Sequence, residues 1–403
     1  MISNVAYEPR SKRLLTPGVF VLLGGLALAA FVAIYRVIFG LGETTNLDNQ
    51  YPWGIWIAID VATGVALAAG GFTTAALAYI FHLDRYEPIV RAALLTALLG
   101  YTFVALGLLV DLGRFYNIWH PMMPSMWQGN SALFEVGMCV MFYLTVLYIE
   151  FMPIVSERFK GKVALPGKLG GLNGLIESLL SLFDKTLGKV MFLFVIAGVV
   201  LSCMHQSSLG SLVLIAPSKI HPLWYTPILP LLFLLSAISV GLPMVIVESM
   251  SASKVFGRKP EMEVLEPLGR LALIPLGIYA IAKITDLLVR ETYVYLFDGS
   301  VASWMFLIEI GFGVALPFVM LSIGSVRKRP PLLFLAALLV VLGVAVNRIN
   351  VFLVAYHPPY ADYSYFPSTM EILFTIGMAA TLMLVYRVIV TVFPILPREE
   401  GSH

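Results

Sequence analysis

Mainly apolar stretches of about 20 residues recur along this chain, at roughly 17–40, 53–81, 89–112, 130–153, 189–205, 226–250, 265–289, 301–324, 331–355 and 370–395. A helix of that length crosses a bilayer, and it satisfies every backbone N–H and C=O internally where no water can. The pattern predicts an all-α polytopic membrane protein of about ten transmembrane helices. Composition agrees: 59% of the 403 residues are hydrophobic and only 12% charged, with a mean hydropathy of +0.89, outside the range of soluble domains. A net charge of +2 gives no reason to expect a nucleic-acid partner.

An even number of spans puts both termini on one side, and basic residues decide which, because cytoplasmic loops retain Lys and Arg. The N-terminal tail (Arg10, Lys12, Arg13) and the even-numbered connections hold most of them, among them Arg85, Arg158, Lys160, Lys254, Arg258, Arg327, Lys328 and Arg329. The odd-numbered connections and helix ends hold Arg36, Arg114, Lys219, Arg290 and Arg348. Both termini are therefore expected in the cytoplasm. No small-residue cleavage site follows the first apolar run, so it reads as a retained helix. Residues 401–403 carry no argument.

The long cytoplasmic connection, 155–188, contains "GLNGLIESLLSLFDKTLGK", whose leucines recur at helical spacing, as in an amphipathic helix lying on the membrane surface. The outer loops are poor in Lys and rich in aromatics, Pro and His, for example "FYNIWHPMMPSMWQGNS" and "AYHPPYADYSYFPST". An interfacial aromatic belt accounts for much of this, and a docking surface for an outer partner is the competing explanation. Glu135 in helix 4 and Glu309 in helix 8 occupy corresponding places, as do "DLGR" (Asp111, Arg114) and "DLLVR" (Asp286, Arg290). These suggest two four-helix bundles, helices 2–5 (53–210) and 6–9 (226–356), flanked by helices 1 and 10 within a single membrane domain.

Ionisable groups inside spans cost several kcal/mol unless paired or hydrated, which makes each a functional candidate. They are Asp60, Asp111, Glu135, Glu248, Lys283, Asp286, Glu309 and Glu371. Asp111 with Arg114 and Asp286 with Arg290 have the spacing of local ion pairs. Glu135, in "NSALFEVGMCVMF", has no basic residue within helical reach and suits a group that carries a proton. Glu135 with Asp60 towards the outer side and Glu248 towards the cytoplasm mark two ends of a proton route.

Haem b would need facing imidazoles at buried depth. His82 reads as lying at the inner boundary, and His120, His205, His221 and His357 at the outer one. No haem is expected. Cys139 and Cys203 form no Cys-x-x-Cys pair, and no iron–sulfur cluster or other metal site is expected either.

The stretches "FGLGETTNLDNQYPWGIWIAIDVATGVALAAGGF", "DLGRFYNIW", "NSALFEVGMC", "MHQSSLGSLVLIAPSKIHPLW", "WMFLIEIG" and "YSYFPSTMEILFTIG" resemble the NrfD/PsrC-type integral membrane subunits. Within that family the likeness is strongest to the HybB-type subunits of nickel–iron hydrogenases, over nearly the whole chain. The resemblance implies a multi-pass protein of the bacterial inner membrane that binds menaquinone near the outer face. It implies electron exchange with a periplasmic iron–sulfur subunit, and in a hydrogenase complex with nickel–iron large and small subunits behind it. Glu135 and Glu248 match the membrane glutamates suspected of proton transfer in that family. Asp60, Asp111, Arg114, Glu135 and His205 are the quinone-pocket candidates. A periplasmic menaquinone reductase with a cytochrome or molybdopterin partner is the alternative within the family. Outside it stand a secondary transporter, against which the near-surface depth of most buried charges argues, and an inert anchor.

Overall fold

The computed structural model describes residues 5–9, 15–163 and 167–398. Arg10, Lys12, Arg13 and residues 401–403 fall outside them. Among the described residues ten helices are long and apolar enough to span a membrane. They are α1 (Pro17–Phe39), α2 (Trp56–Ile80), α3 (Asp84–Asp111), α4 (Ala132–Phe159), α5 (Asn173–Leu214), α6 (Leu229–Phe256), α7 (Met262–Val289), α8 (Val301–Ser322), α9 (Pro330–Val354) and α10 (Thr369–Val392).

Helix ends follow local chemistry. Proline occupies the first turn of α1, α6 and α9, where its missing N–H costs nothing. α6 stops at Gly257, whose φ of 70° is a left-handed cap that suits a residue without Cβ. α10 starts with a capping box, Ser368 Oγ accepting from Glu371 N (3.1 Å) and Glu371 Oε2 from Ser368 N (2.8 Å).

Helices α2–α5 pack in one ring and α6–α9 in a second, with α2 and α5 against α6 and α2 against α9 joining the rings. α2 is the most enclosed span, 72% buried, and α1 the least, 17%. α1 lies along α10, with Gly25 against Ala380 and Gly377 against Ala29, so close that a Cβ at either glycine would collide with its neighbour.

The chain ends meet. Strand β1 (Tyr7–Glu8) pairs antiparallel with β2 (Leu396–Pro397), Tyr7 donates to Glu87 O (3.0 Å) and the Arg91 guanidinium stacks 3.8 Å over the Tyr7 ring. This terminal face is distinct from the opposite, loop face. There His221 N donates to Ala355 O (2.8 Å), His357 N to Lys219 O (2.7 Å) and Tyr51 OH to Tyr363 O (2.7 Å), tying three connections together.

The fifth span ends later than the sequence suggests, at Leu214 rather than 205. "MHQSSLGS" lies inside the helix, and His205 and Gln206 are fully buried. Polarity here faces the ring interior and does not mark a boundary. At its other end α5 continues without a break into the expected surface helix, giving 42 residues, roughly 63 Å. Leu172, Leu175 and Leu179 there are exposed.

Candidate functional site

The two rings treat their carboxylates differently. In the second, Glu309 is 2% exposed and sits 2.5 Å from Lys283 Nζ. It also accepts from Trp224 Nε1 (2.9 Å), Asn347 Nδ2 (2.8 Å) and Asn350 Nδ2 (2.8 Å). Asn347 Oδ1 accepts in turn from Arg348 (2.6 Å), whose guanidinium lies 3.8 Å over the Phe233 ring. Asp286 and Arg290 form the i,i+4 pair expected (2.9 Å), with Thr226 Oγ1 donating to Asp286 at 2.6 Å. Each carboxylate in this network has a counter-ion and further donors, which is what burial requires.

The first ring instead offers hydroxyl groups. Thr375 Oγ1 donates to Asp60 Oδ2 (2.9 Å) and Ser208 Oγ to Glu135 Oε1 (2.6 Å). Asp60 rides on a π-helical stretch, Trp56–Thr63, a distortion common where helices carry function. Asp111, at the last turn of α3, keeps Oδ1 buried with no hydrogen-bond partner. Its nearby cation is Arg36 of α1 and not Arg114. The i,i+3 pair expected between Asp111 and Arg114 does not form, because the helix stops at Asp111 and Arg114 turns out to solvent. Arg36 meanwhile caps the end of α3, donating to Val110 O (2.6 Å) and Leu112 O.

His205 also departs from expectation. It lies nine residues inside the end of α5 and not at the loop face, fully buried, its ring 5.6 Å from that of Tyr101. Neither ring nitrogen has a hydrogen-bond partner. Around it lie Tyr101 OH, Tyr143 OH, Ser202 Oγ and Gln206 Oε1, also buried. Ser202 stands beside both tyrosine hydroxyls and Gln206 beside that of Tyr101, so rotation of the hydroxyl groups lets this cluster bond within itself.

Towards the terminal face, Glu248 Oε1 accepts from Tyr386 OH (2.8 Å) while Oε2 is unpaired. It borders a cavity of about 20 Å³, room for one water molecule, lined also by Pro88, Ser253, Arg258 and Leu396. Glu371, in contrast, is structural: beyond the capping box it accepts from Asn46 N (3.0 Å) and Tyr365 OH (2.5 Å). Sequence reasoning missed Glu150, Tyr101, Tyr143, Ser202 and Gln206. The signal was there in α4, where Glu135, Tyr143 and Glu150 recur at helical spacing.

Ten helices in two rings, the first with a polar interior, define a polytopic helical membrane protein whose acids within the spans are unequally neutralised, Glu309 buried against a cation, Asp60 and Asp111 half-buried and Glu135 exposed. Residues 43–358 match the family model described as polysulphide reductase, NrfD, and the chain belongs to the NrfD family. It is 39% identical to a protein of Nitratidesulfovibrio vulgaris over 98% of both chains. It is 34% identical to the probable Ni/Fe-hydrogenase 2 b-type cytochrome subunit of Escherichia coli, over 98% of this chain and 97% of that one. It is 30% identical to the integral membrane subunit of menaquinone reductase from N. vulgaris, over 91% and 88%.

The second of those names raises the question of haem. A bis-imidazole site needs two histidines facing across spans. Among the described residues only His205 lies within a span, while His82, His120, His221 and His357 fall in connections. The histidines do not fit such a group. Arg36, Thr375 and Ser208 place hydrogen-bond donors beside Asp111, Asp60 and Glu135 at the loop-face end of the first ring.

Proposed function

We propose that this chain is the quinone-reactive membrane subunit of a respiratory oxidoreductase, in which a periplasmic iron–sulfur subunit and menaquinone exchange electrons near the loop face. The observation that carries it is the contrast between the rings. Glu309 and Asp286 are held by cations, whereas Asp60 and Glu135 have only hydroxyl partners. A carboxyl group without a counter-ion is free to exchange a proton, and quinone reduction consumes two protons with two electrons. Asp60, Asp111 and Glu135 line the proposed site, His205 lies deeper, and Glu248, the relay expected from the sequence, stands apart from them towards the terminal face beside Tyr386.

The positive-inside distribution supports a bacterial inner-membrane protein with both termini cytoplasmic. Exposed Trp119, Met122, Trp127 and Phe366 on the loop face suit the docking of the electron-transfer subunit. The similarity to the E. coli hydrogenase subunit favours a hydrogen-oxidising nickel–iron complex as the electron source. Similarity to a menaquinone reductase subunit favours a second reading, in which a cytochrome or molybdopterin protein stands in that place. Co-purification of the intact complex with identification of its subunits separates the two.

The experiment that tests the shared part is Glu135→Gln in the assembled complex. With reduced benzyl viologen as donor and 2,3-dimethyl-1,4-naphthoquinone as acceptor, turnover falls by about 10²-fold or more. Native turnover in an intact complex removes Glu135 from the reaction.

A further inference from the structure

α4 packs against α5 from Glu135, beside Ser208, to Ser156, beside Leu180, and the seam between them, closed on one side by Tyr101 of α3, carries a polar row. At the loop-face end Ser208 Oγ donates to Glu135. Next come Tyr101 and His205, ring centroids 5.6 Å apart, and then Tyr143, edge-on to Tyr101 at 4.5 Å. Ser202 lies beside both tyrosine hydroxyls. At the terminal-face end, Glu150 Oε1 and the Tyr143 ring both abut Gly198 of α5, within 3.2 and 3.5 Å of where a Cβ would stand. Glycine at that place makes room for the carboxylate.

From Glu135 to Glu150 is 15 residues of helix, roughly 22 Å of a hydrocarbon layer about 30 Å thick. Tyr101, Tyr143, Ser202, His205 and Gln206, in the middle of the row, are 0–1% exposed. Ser202 stands beside both tyrosine hydroxyls, and Gln206 Nε2 is anchored on Val65 O (2.9 Å). Hydroxyl and imidazole groups can accept a proton on one lone pair and release another, and bridging water connects them. Glu248 has no comparable link to Glu135: its partners are Tyr386 of α10 and Thr96 of α3, and its cavity is bounded by α3, α6 and the terminal strand.

We propose that the α4–α5 seam is the proton conduit of the molecule, with Glu150 as its entry group on the terminal face. The inference rests on the quinone-reductase reading. A proton from water adds to the Glu150 carboxylate and is handed on by Tyr143, Ser202 and water to His205. His205 passes it through water to Ser208 Oγ, which takes it up as its own proton goes to Glu135 Oε1 and that carboxyl gives one to the reduction site. Two protons travel this way for each pair of electrons supplied by the iron–sulfur partner.

The assembled complex in proteoliposomes tests it, again with reduced benzyl viologen and 2,3-dimethyl-1,4-naphthoquinone, and with pH dyes reporting each side of the membrane. Glu150→Gln and Tyr143→Phe are expected to slow turnover tenfold or more. The residual turnover draws its protons from the loop-face side, so the proton-to-electron ratio on the terminal face falls from about one towards zero. Ser202→Ala, the mildest change, gives a smaller shift in the same direction and carries the test if either larger variant does not assemble. Native rate together with native terminal-face uptake in the assembled variants overturns the conduit. If the native complex itself reduces no naphthoquinone, the quinone reading fails. If Glu135→Gln is inactive while the seam variants behave as native, the conduit alone fails.

Discussion

Glu309 and Lys283, 26 residues apart and carried by neighbouring helices, meet at 2.5 Å in the core of the second ring. With Trp224, Asn347 and Asn350 they make that ring a closed electrostatic unit. The first ring has no equivalent lock among its described residues, and its freedom to exchange protons follows from that difference.

Lys283→Met leaves Glu309 without its cation and is expected to lower stability by about 3–5 kcal/mol. Adding Glu309→Gln removes the stranded charge and recovers part of the loss. Thermal unfolding of the purified complex reads both variants. A melting temperature for Lys283→Met equal to native shows that the pair contributes nothing to stability.

Asp60→Asn retains the shape of the side chain but not its charge. Turnover with the naphthoquinone is expected to fall by roughly 10²-fold while the melting temperature stays close to native. A variant that loses stability but turns over normally once assembled would assign Asp60 to packing.

Glu371→Ala removes acceptors for Asn46 N, Ser368 N and Tyr365 OH and is expected to cost about 1–3 kcal/mol. Glutamine serves equally well at the third position of a capping box, so Glu371→Gln keeps most of the stability. Equal destabilisation by both substitutions argues against the cap as the cause.

On the loop face, Asp48 accepts from Gln50 N, Tyr51 N (both 2.8 Å) and the Tyr363 hydroxyl. Foremost the tyrosine, and with it these backbone N–H groups, hold the Asp48 carboxyl below its usual 3.8, and the same contact pushes Tyr363 up to about 12 from 10. A depressed carboxylate stabilises above its unfolded pKa and loses that contribution as pH falls through the folded one. A raised phenol stabilises fully below 10 and loses its contribution as pH rises through about 12. Loop docking is therefore strongest between roughly pH 4 and 10. Ultraviolet titration reads it directly: Tyr363 ionises near 12 in the native protein and nearer 10 in Asp48→Asn. No change on substitution dismisses the contact in solution.

The helices were legible because lipid demands length and apolarity from a contiguous segment, and ten such segments stand out. Asp286 with Arg290 was legible for a similar reason, both partners lying one turn apart. Asp111 was not: its cation comes from Arg36, 75 positions away, and no local spacing announces it. His205 was misplaced because hydropathy registers polarity and cannot register burial, so a polar run facing a ring interior looks like the end of a helix. Glu150 escaped notice beside the basic residues that follow α4. Which way it faces is decided by Gly198, on a different helix.

The pairing of Tyr7–Glu8 with Leu396–Pro397 bears on the order in which the molecule is made. α1 is made before the other described spans and finds its main helical partner only when α10, the last of them, has been inserted. Until then α1 is held through Arg36 at the end of α3, and the strand clasp closes only once Leu396–Pro397 has followed α10. Assembly of the membrane domain thus ends at its beginning, and a chain cut short before residue 369 would leave its first helix loosely held.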